Sequence, residues 1–246
     1  MLKNSSIEIK EVNKNIIITP KDNIYSNVII FLHGLGDNPK SYVELFSNEK
    51  MLLFPKTKIW LLSAPLIPIN LYNGEMYSAW FDVIKNKLDD NSNYKFEDVE
   101  KNSINIIKII LAEGKKLKGN FNNIFIGGFS QGACIALHIG LTFSNLLGGI
   151  ICCSGFLFKE SEINELNNKI KIFAGHGHID KVIKCDFAQS SFQRIKNFEN
   201  FHLKIYHDME HIIGNEELND IKKFLDDNLM KWIFNCLKPR NWLSQF

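Results

Sequence analysis

The stretch "GGFSQGACIAL", from Gly127 to Leu137, holds a single serine, Ser130, among small residues. An apolar run typical of a strand precedes the serine and a helix-forming run follows it, so the stretch predicts a strand, a sharp turn and a helix. A serine on such a turn lifts its hydroxyl out of the sheet, and side chains at the flanking glycine positions would clash. The pattern Gly128-Phe129-Ser130-Gln131-Gly132 therefore predicts a nucleophile on a sharp turn; a plain glycine-rich turn is the alternative.

Runs of strand length recur along the rest of the chain. The predicted strands are Asn27–Gly34, Lys58–Pro65, Asn123–Ser130, Leu147–Gly155, Lys169–Gly177 and Phe201–Asp208, with a hairpin at Ile7–Val12 and Asn15–Pro20. Continuous apolar runs of this kind indicate strands covered on both faces. Helical patterns lie between or after them at 96–116, 132–143, 185–198 and 216–234. The alternation predicts one α/β domain over residues 1–246, with a mostly parallel central sheet and helices on both faces.

Composition narrows the class of protein. The 246 residues are 45% hydrophobic and 23% charged, which is ordinary for a globular domain. A net charge of +2 argues against a nucleic-acid binder. No apolar run reaches the ~18 residues of a membrane span, and we expect no secretory signal at the start. The five cysteines show no metal-ligand spacing, and reduced thiols fit a cytoplasmic location.

A serine nucleophile needs a base, and in this architecture an acid and then a histidine follow it at the ends of later strands. Asp180 follows the fifth of the predicted parallel strands and His211 follows the sixth. Ser130, Asp180 and His211 are therefore the predicted triad, with Asp186 as the alternative acid. Four competing histidines fit less well, because they precede the acid or lie in or beside the last strand: His176, His178, His202 and His207.

Acyl transfer also needs hydrogen-bond donors for the oxyanion. The backbone amide of Gln131, directly after the nucleophile, is one predicted donor. The second is expected in "HGLGD", His33 to Asp37, where glycines allow close approach of the backbone and Leu35 is the candidate amide. A simple strand-ending turn is the alternative interpretation of this segment.

These motifs together resemble one branch of the α/β-hydrolases, the acyl-protein thioesterases and carboxylesterases, also called lysophospholipase-like. The segments "FLHGLGD", "SAPLIPI", "SAWFD", "GGFSQGA", "HIDKV" and "EHIIGNEEL" occur in the family order between Val28 and Leu229. The combination is more specific than the serine motif alone.

The resemblance implies an α/β-hydrolase fold and the functional residues that go with it. Ser130, Asp180 and His211 would form the triad, and the Leu35 and Gln131 amides the oxyanion hole. A loop or small hairpin at 64–80 would lie beside the site, with Leu35 and Trp80 contacting the acyl group. No metal or cofactor is implied. The implied reaction is hydrolysis of fatty-acyl thioesters on S-acylated proteins through an acyl-enzyme.

Other functions remain open on the sequence alone. A carboxylesterase or lysophospholipase acting on small acyl esters would use the same triad. A non-catalytic hydrolase fold that binds a ligand or partner is favoured only by departures from the family pattern, and a structural scaffold that dimerises through the C-terminal segment is a third alternative. Lys181 and Lys184 stand where the family usually has prolines, and Asp208-Met209-Glu210 replaces its Gly-Met-Gly before the histidine.

The C-terminal segment 230–246 extends beyond the family-like core, and an apolar helix face continues into it. Three interpretations are open: an extended last helix packed on its own domain, a homodimer contact, and a transient contact with a membrane surface.

Overall fold

Strands and helices alternate along residues 6–85 and 93–236, the parts of the chain that the computed structural model describes. The strands are β1 Ile7–Val12, β2 Asn15–Pro20, β3 Asn27–Leu32, β4 Thr57–Leu62, β5 Leu66–Ile69, β6 Glu75–Ser78, β7 Ile124–Phe129, β8 Gly149–Cys153, β9 Ile172–Gly177 and β10 Phe201–Tyr206. The helices are α1 Val43–Ser47, α2 Phe96–Lys116, α3 Gln131–Thr142, α4 Cys185–Ser191 and α5 Asn215–Cys236.

Eight of the strands form one sheet in the order β1-β2-β4-β3-β7-β8-β9-β10. The pairs β1/β2 and β2/β4 are antiparallel, and every later pair is parallel. The predicted N-terminal hairpin and the mostly parallel sheet are thus confirmed. Strands β5 and β6 pair only with each other, with Leu66 opposite Ser78, and form the small hairpin implied by the resemblance.

Helices cover both faces of the sheet because alternate strand residues point to opposite sides. On one face, Val28, Ile126 and Ile150 pack with apolar residues of α2, α3 and α4. On the other face, Phe31 and Phe125 pack with residues of α1 and α5. The central strands β3, β7, β8 and β9 are accordingly buried almost throughout.

Two details differ from the sequence-based predictions. Strand β10 is only partly buried, because it is the edge strand and pairs on one side alone, so the expectation of cover on both faces is wrong for it. The helix predicted at 185–198 ends at Ser191, and a 3₁₀ turn, Phe192–Arg194, follows.

The last helix continues to Cys236. Residues 237–246 lie outside the described part of the chain, and so does the side-chain packing expected for the C-terminal extension. Within the described residues, no helix combines the length and the apolar character that crossing a bilayer would require.

Candidate active site

Ser130 alone connects β7 to α3. Its backbone lies at φ 55° and ψ −121°, a combination that costs strain in any residue with a side chain. The turn is tight enough to need both flanking glycines. A Cβ on Gly132 would lie 2.1 Å from the carbonyl oxygen of Leu32 at the end of β3. The predicted strand, turn and helix are therefore confirmed, and the packing explains the small residues around the serine.

The structure brings Ser130, His211 and Asp180 together in one chain of hydrogen bonds. The Ser130 hydroxyl lies 2.8 Å from Nε2 of His211, and Nδ1 of His211 lies 2.6 Å from Oδ2 of Asp180. The residues meet because β7, β9 and β10 are parallel, so the segments that follow these strands lie at the same sheet edge.

The alternative site residues lie elsewhere. Asp186 is in the first turn of α4, and the rings of His178 and His207 contact each other with centroids 5.5 Å apart. His202 lies within β10 and is exposed.

The Asp180 carboxylate is fixed by four neighbours. Oδ1 accepts hydrogen bonds from the backbone amides of Val182 and Ile183, at 2.8 and 2.9 Å. Oδ2 faces His211 and lies 3.3 Å from Nε2 of His176. Burial raises the pKa of Asp180, but the hydrogen bonds from His176 and His211 outweigh it and hold the pKa well below its usual range. The group is therefore an anion suited to orient and stabilise an imidazolium.

His176 is a neighbour of the site that sequence reasoning set aside as a competitor for the base. Its Nε2–H donates to the carbonyl of Ile183 at 2.8 Å, so it joins β9 to the loop carrying Asp180. Its position four residues before Asp180 at the end of a strand was the only signal in the sequence.

Two of the residues that depart from the family pattern contact each other. Nζ of Lys181 lies 3.4 Å from Oε1 of Glu210, so the loop carrying Asp180 and the loop carrying His211 are linked by an ion pair. Both side chains are mostly exposed, and an exposed pair of this kind contributes at most about 1 kcal/mol. The altered residues leave the hydrogen bonds of Ser130, His211 and Asp180 in place.

The segment His33–Asp37, which follows β3 and is called the oxyanion loop below, lies directly against the serine. A Cβ on Gly34 would lie 3.3 Å from the Cβ of Ser130. The Gln131 side chain is buried and hydrogen-bonds to the segment after β6. It accepts from the Trp80 amide at 3.0 Å and donates to the Phe81 carbonyl at 2.9 Å. The side-chain role of Gln131 was not visible in the sequence.

Leu35 lies within this loop and Trp80 contacts it, and both side chains are predicted to contact the substrate. Trp80 is 2% exposed, and its indole Nε1–H donates to the His33 carbonyl at 2.8 Å, so it holds the first residue of the oxyanion loop in place. Leu35 is partly buried against the core. Contact of either side chain with an acyl chain stays a prediction, as do the oxyanion roles of the Leu35 and Gln131 amides.

No cluster of three or more metal-ligating side chains occurs within residues 6–85 and 93–236.

Comparison with known proteins agrees with this geometry. The sequence profile of the Phospholipase/Carboxylesterase family matches residues 13–229. The chain belongs to this family of α/β-hydrolases. As a family member it is a serine hydrolase, and the resemblance predicted from its motifs is confirmed.

Two fungal proteins are similar to this chain over most of the length of both sequences. Acyl-protein thioesterase 1 of Candida albicans is 32% identical over 220 residues, covering 82% of this chain and 92% of that protein. Acyl-protein thioesterase 1 of Saccharomyces cerevisiae is 31% identical over 212 residues, with the same coverages of 82% and 92%.

Solved structures in the same family share the fold. SOBER1 of Arabidopsis thaliana superposes with a TM-score of 0.73 at 27% identity, covering 82% of this chain and 99% of that one. Acyl-protein thioesterase 2 of Zea mays gives 0.73 at 25% identity, covering 89% and 100%. The predicted α/β-hydrolase fold is thus confirmed.

Proposed function

We propose that this protein is an acyl-protein thioesterase that removes fatty-acyl groups from S-acylated cysteines through an acyl-enzyme on Ser130. The observation that carries the proposal is the continuous hydrogen-bond chain from Ser130 through His211 to Asp180. The similarity to fungal acyl-protein thioesterase 1 supports the choice of a thioester substrate.

In the first half of the reaction, the Ser130 oxygen attacks the thioester carbonyl carbon while Nε2 of His211 accepts the hydroxyl proton. Asp180 accepts the Nδ1–H of His211, which fixes the tautomer and stabilises the imidazolium that forms. The backbone amides of Leu35 and Gln131 donate to the oxygen that gains negative charge. The C–S bond then breaks, and the sulfur leaves with the proton from His211.

In the second half, His211 takes a proton from a water molecule, which attacks the acyl carbonyl carbon of the ester on Ser130. The tetrahedral intermediate collapses with return of the proton to the Ser130 oxygen. The fatty acid is released and the free serine is restored.

Exposed apolar side chains close to the triad in sequence support a fatty-acyl substrate. Ile179 is 45% exposed beside Asp180, Val182 is 52% exposed two residues beyond it, and Ile212 is 55% exposed next to His211. Apolar side chains left in water beside polar catalytic groups suit a substrate with a reactive carbonyl on a hydrocarbon chain. We further propose that the substrates are cytoplasmic S-acylated proteins.

A second candidate function is a carboxylesterase or lysophospholipase that acts on small acyl esters, and the name of the matching family favours it. The triad is the same, so only the relative rates on the two kinds of ester separate the candidates. A non-catalytic binding protein would have no need of the hydrogen-bonded triad.

The test compares hydrolysis of a fatty-acyl thioester with that of the matched oxygen ester by the wild type, Ser130→Ala and Ser154→Ala. Ser154 is the matched control because it also follows a central strand and has a positive φ of 51°. We expect thioester turnover to be lost in Ser130→Ala alone. Ser130-dependent turnover of the oxygen ester only would favour the carboxylesterase. Turnover of neither substrate by a folded wild type would refute both candidates.

A further inference from the structure

The imidazole of His33 is the most buried polar group of the oxyanion loop, at 1% exposure. Its Nδ1 lies 2.7 Å from the carbonyl oxygen of Gly34, and its Nε2 lies 3.0 Å from the backbone nitrogen of Ala64. The proposed mechanism gives this ring no part, because it neither faces Ser130 nor joins the triad.

The two backbone partners fix the tautomer of His33 independently. A carbonyl oxygen only accepts, so Nδ1 must carry the proton that is shared with Gly34. An amide N–H only donates, so Nε2 must be unprotonated to accept the hydrogen bond from Ala64. Burial lowers the pKa of His33, which favours the same neutral ring.

The partner on the Nδ1 side matters because of the peptide group that it belongs to. The Gly34 carbonyl and the Leu35 N–H are the two ends of one planar trans peptide unit, so they point in opposite directions. Holding the Gly34 oxygen therefore sets the direction of the Leu35 N–H. The amide of Asp37 donates to the same oxygen at 3.2 Å, and Gly34 itself packs against Ser130.

We propose that His33 is a positioning residue for the hydrolysis, holding the Gly34 oxygen so that the Leu35 N–H is aimed at the oxyanion. This assignment rests on the proposed function, since it acts through the proposed oxyanion hole. Ala64 lies two residues before the β5–β6 hairpin and Trp80 two residues after it, and the Trp80 indole donates to the His33 carbonyl. His33 is thus fixed on both sides by segments that flank the hairpin.

The kinetic test uses three variants at one position. His33→Asn keeps an N–H donor at the place of Nδ1, His33→Gln moves its amide towards the place of Nε2, and His33→Ala removes both groups. We expect kcat to stay within about fivefold of the wild type in His33→Asn and to fall about 30- to 100-fold in the other two. KM for the ester should change little, because the Leu35 amide acts on the transition state.

Binding of an alkyl trifluoromethyl ketone, which becomes an oxyanion when the serine adds to it, gives a second readout. Its affinity should fall in the three variants in the same order as kcat, whereas the affinity for the product fatty acid should not. Thermal unfolding identifies variants that fail to fold. The assignment would be overturned if kcat fell equally in folded His33→Asn and His33→Gln, or if both variants kept the wild-type kcat.

A measurement independent of catalysis separates this inference from the proposed function. Nitrogen-15 NMR of the wild type with labelled histidine should show His33 protonated at Nδ1 and unprotonated at Nε2. The opposite tautomer would overturn the positioning role even in an active enzyme. Conversely, absence of Ser130-dependent turnover together with the expected tautomer would refute the proposed function, and the positioning role with it.

Discussion

Gly128 and Gly132 meet across the turn at Ser130, where a Cβ on Gly128 would lie 2.4 Å from the carbonyl carbon of Gly132. This closeness holds Ser130, which is 6% exposed, at its positive φ of 55° and leaves its hydroxyl 2.8 Å from Nε2 of His211. The two glycines thus allow a backbone geometry at position 130 that is strained for serine, as for any residue with a side chain. The proposed nucleophile is therefore held in place at a cost in folding stability.

Replacing the serine should reveal that cost. We expect Ser130→Gly to have a higher free energy of unfolding than Ser130→Ala, by about 1 kcal/mol, because only glycine adopts this backbone without strain. Chemical denaturation of both variants measures the difference. Ser103, within α2, is the control position, where the order should reverse because glycine disfavours helix. A Ser130→Gly variant less stable than Ser130→Ala would contradict the strain.

The acid of the triad can be tested against its alternative. Asp180→Asn should lower kcat by about 10⁴-fold, because the neutral amide no longer holds the required tautomer of His211. The change should lower kcat far more than it raises KM, as steady-state kinetics on the ester will show. Asp186→Asn, in the first turn of α4, should retain wild-type rates. A large loss in Asp186→Asn with a small one in Asp180→Asn would reverse the assignment.

Glu217 on α5 should make stability depend on pH. It is fully buried, and neither carboxyl oxygen makes a hydrogen bond of ordinary geometry in the described part of the chain. The nearby Cys153 thiol and Gly214 amide lower its pKa, but the effect of burial is larger. Burial raises its pKa from 4.5 to about 8, so between these values the folded protein holds a proton that the unfolded chain has lost. The free energy of unfolding therefore falls as pH rises through this window, by up to about 1.4 kcal/mol per pH unit from this group.

Glu217→Gln removes this ionisation. The variant should gain stability relative to the wild type as pH rises from 5 to about 8, and the gain should level off above that pH. Denaturation curves at several pH values measure it, and Glu100→Gln, exposed on α2, corrects for the loss of one carboxyl group. The prediction would be contradicted if the difference in free energy of unfolding between Glu217→Gln and the wild type stayed constant from pH 5 to pH 8.

A second buried carboxylate is fully paired. Glu113 on α2 accepts from Lys58 at 2.7 Å, Lys116 at 3.0 Å, Trp60 at 3.1 Å and Tyr25 at 2.8 Å. Glu113→Gln would leave the buried ammonium of Lys58 without its counter-charge and should lower the free energy of unfolding by about 3 kcal/mol.

A double-mutant cycle tests this pair. Combining Lys58→Met with Glu113→Leu should lower the free energy of unfolding by less than the sum of the two single changes, because the double variant leaves no buried charge unpaired. Additive costs would show that the two side chains act independently. Retained esterase activity in all variants would confirm that this network supports the fold alone.

The sequence predicted the frame of the site well because the frame depends on local patterns and chain order. The bounds predicted for α2 match the observed helix, and Ser130, Asp180 and His211 were placed by the order of strands. The missed features depend on contacts between distant segments. Nothing local showed that Glu113 would meet Lys58, that Glu217 would be fully buried, or that His33 would reach Ala64.

The crossovers between parallel strands have a consequence for how the enzyme gains activity as it folds. Ser130, Asp180 and His211 follow β7, β9 and β10, and β10 is the last strand of the sheet and lies at its edge. Parallel pairing joins residues far apart in sequence, which slows folding. His211 reaches the serine only after this edge strand has docked, so recovery of turnover during refolding should report the docking of β10 against β9.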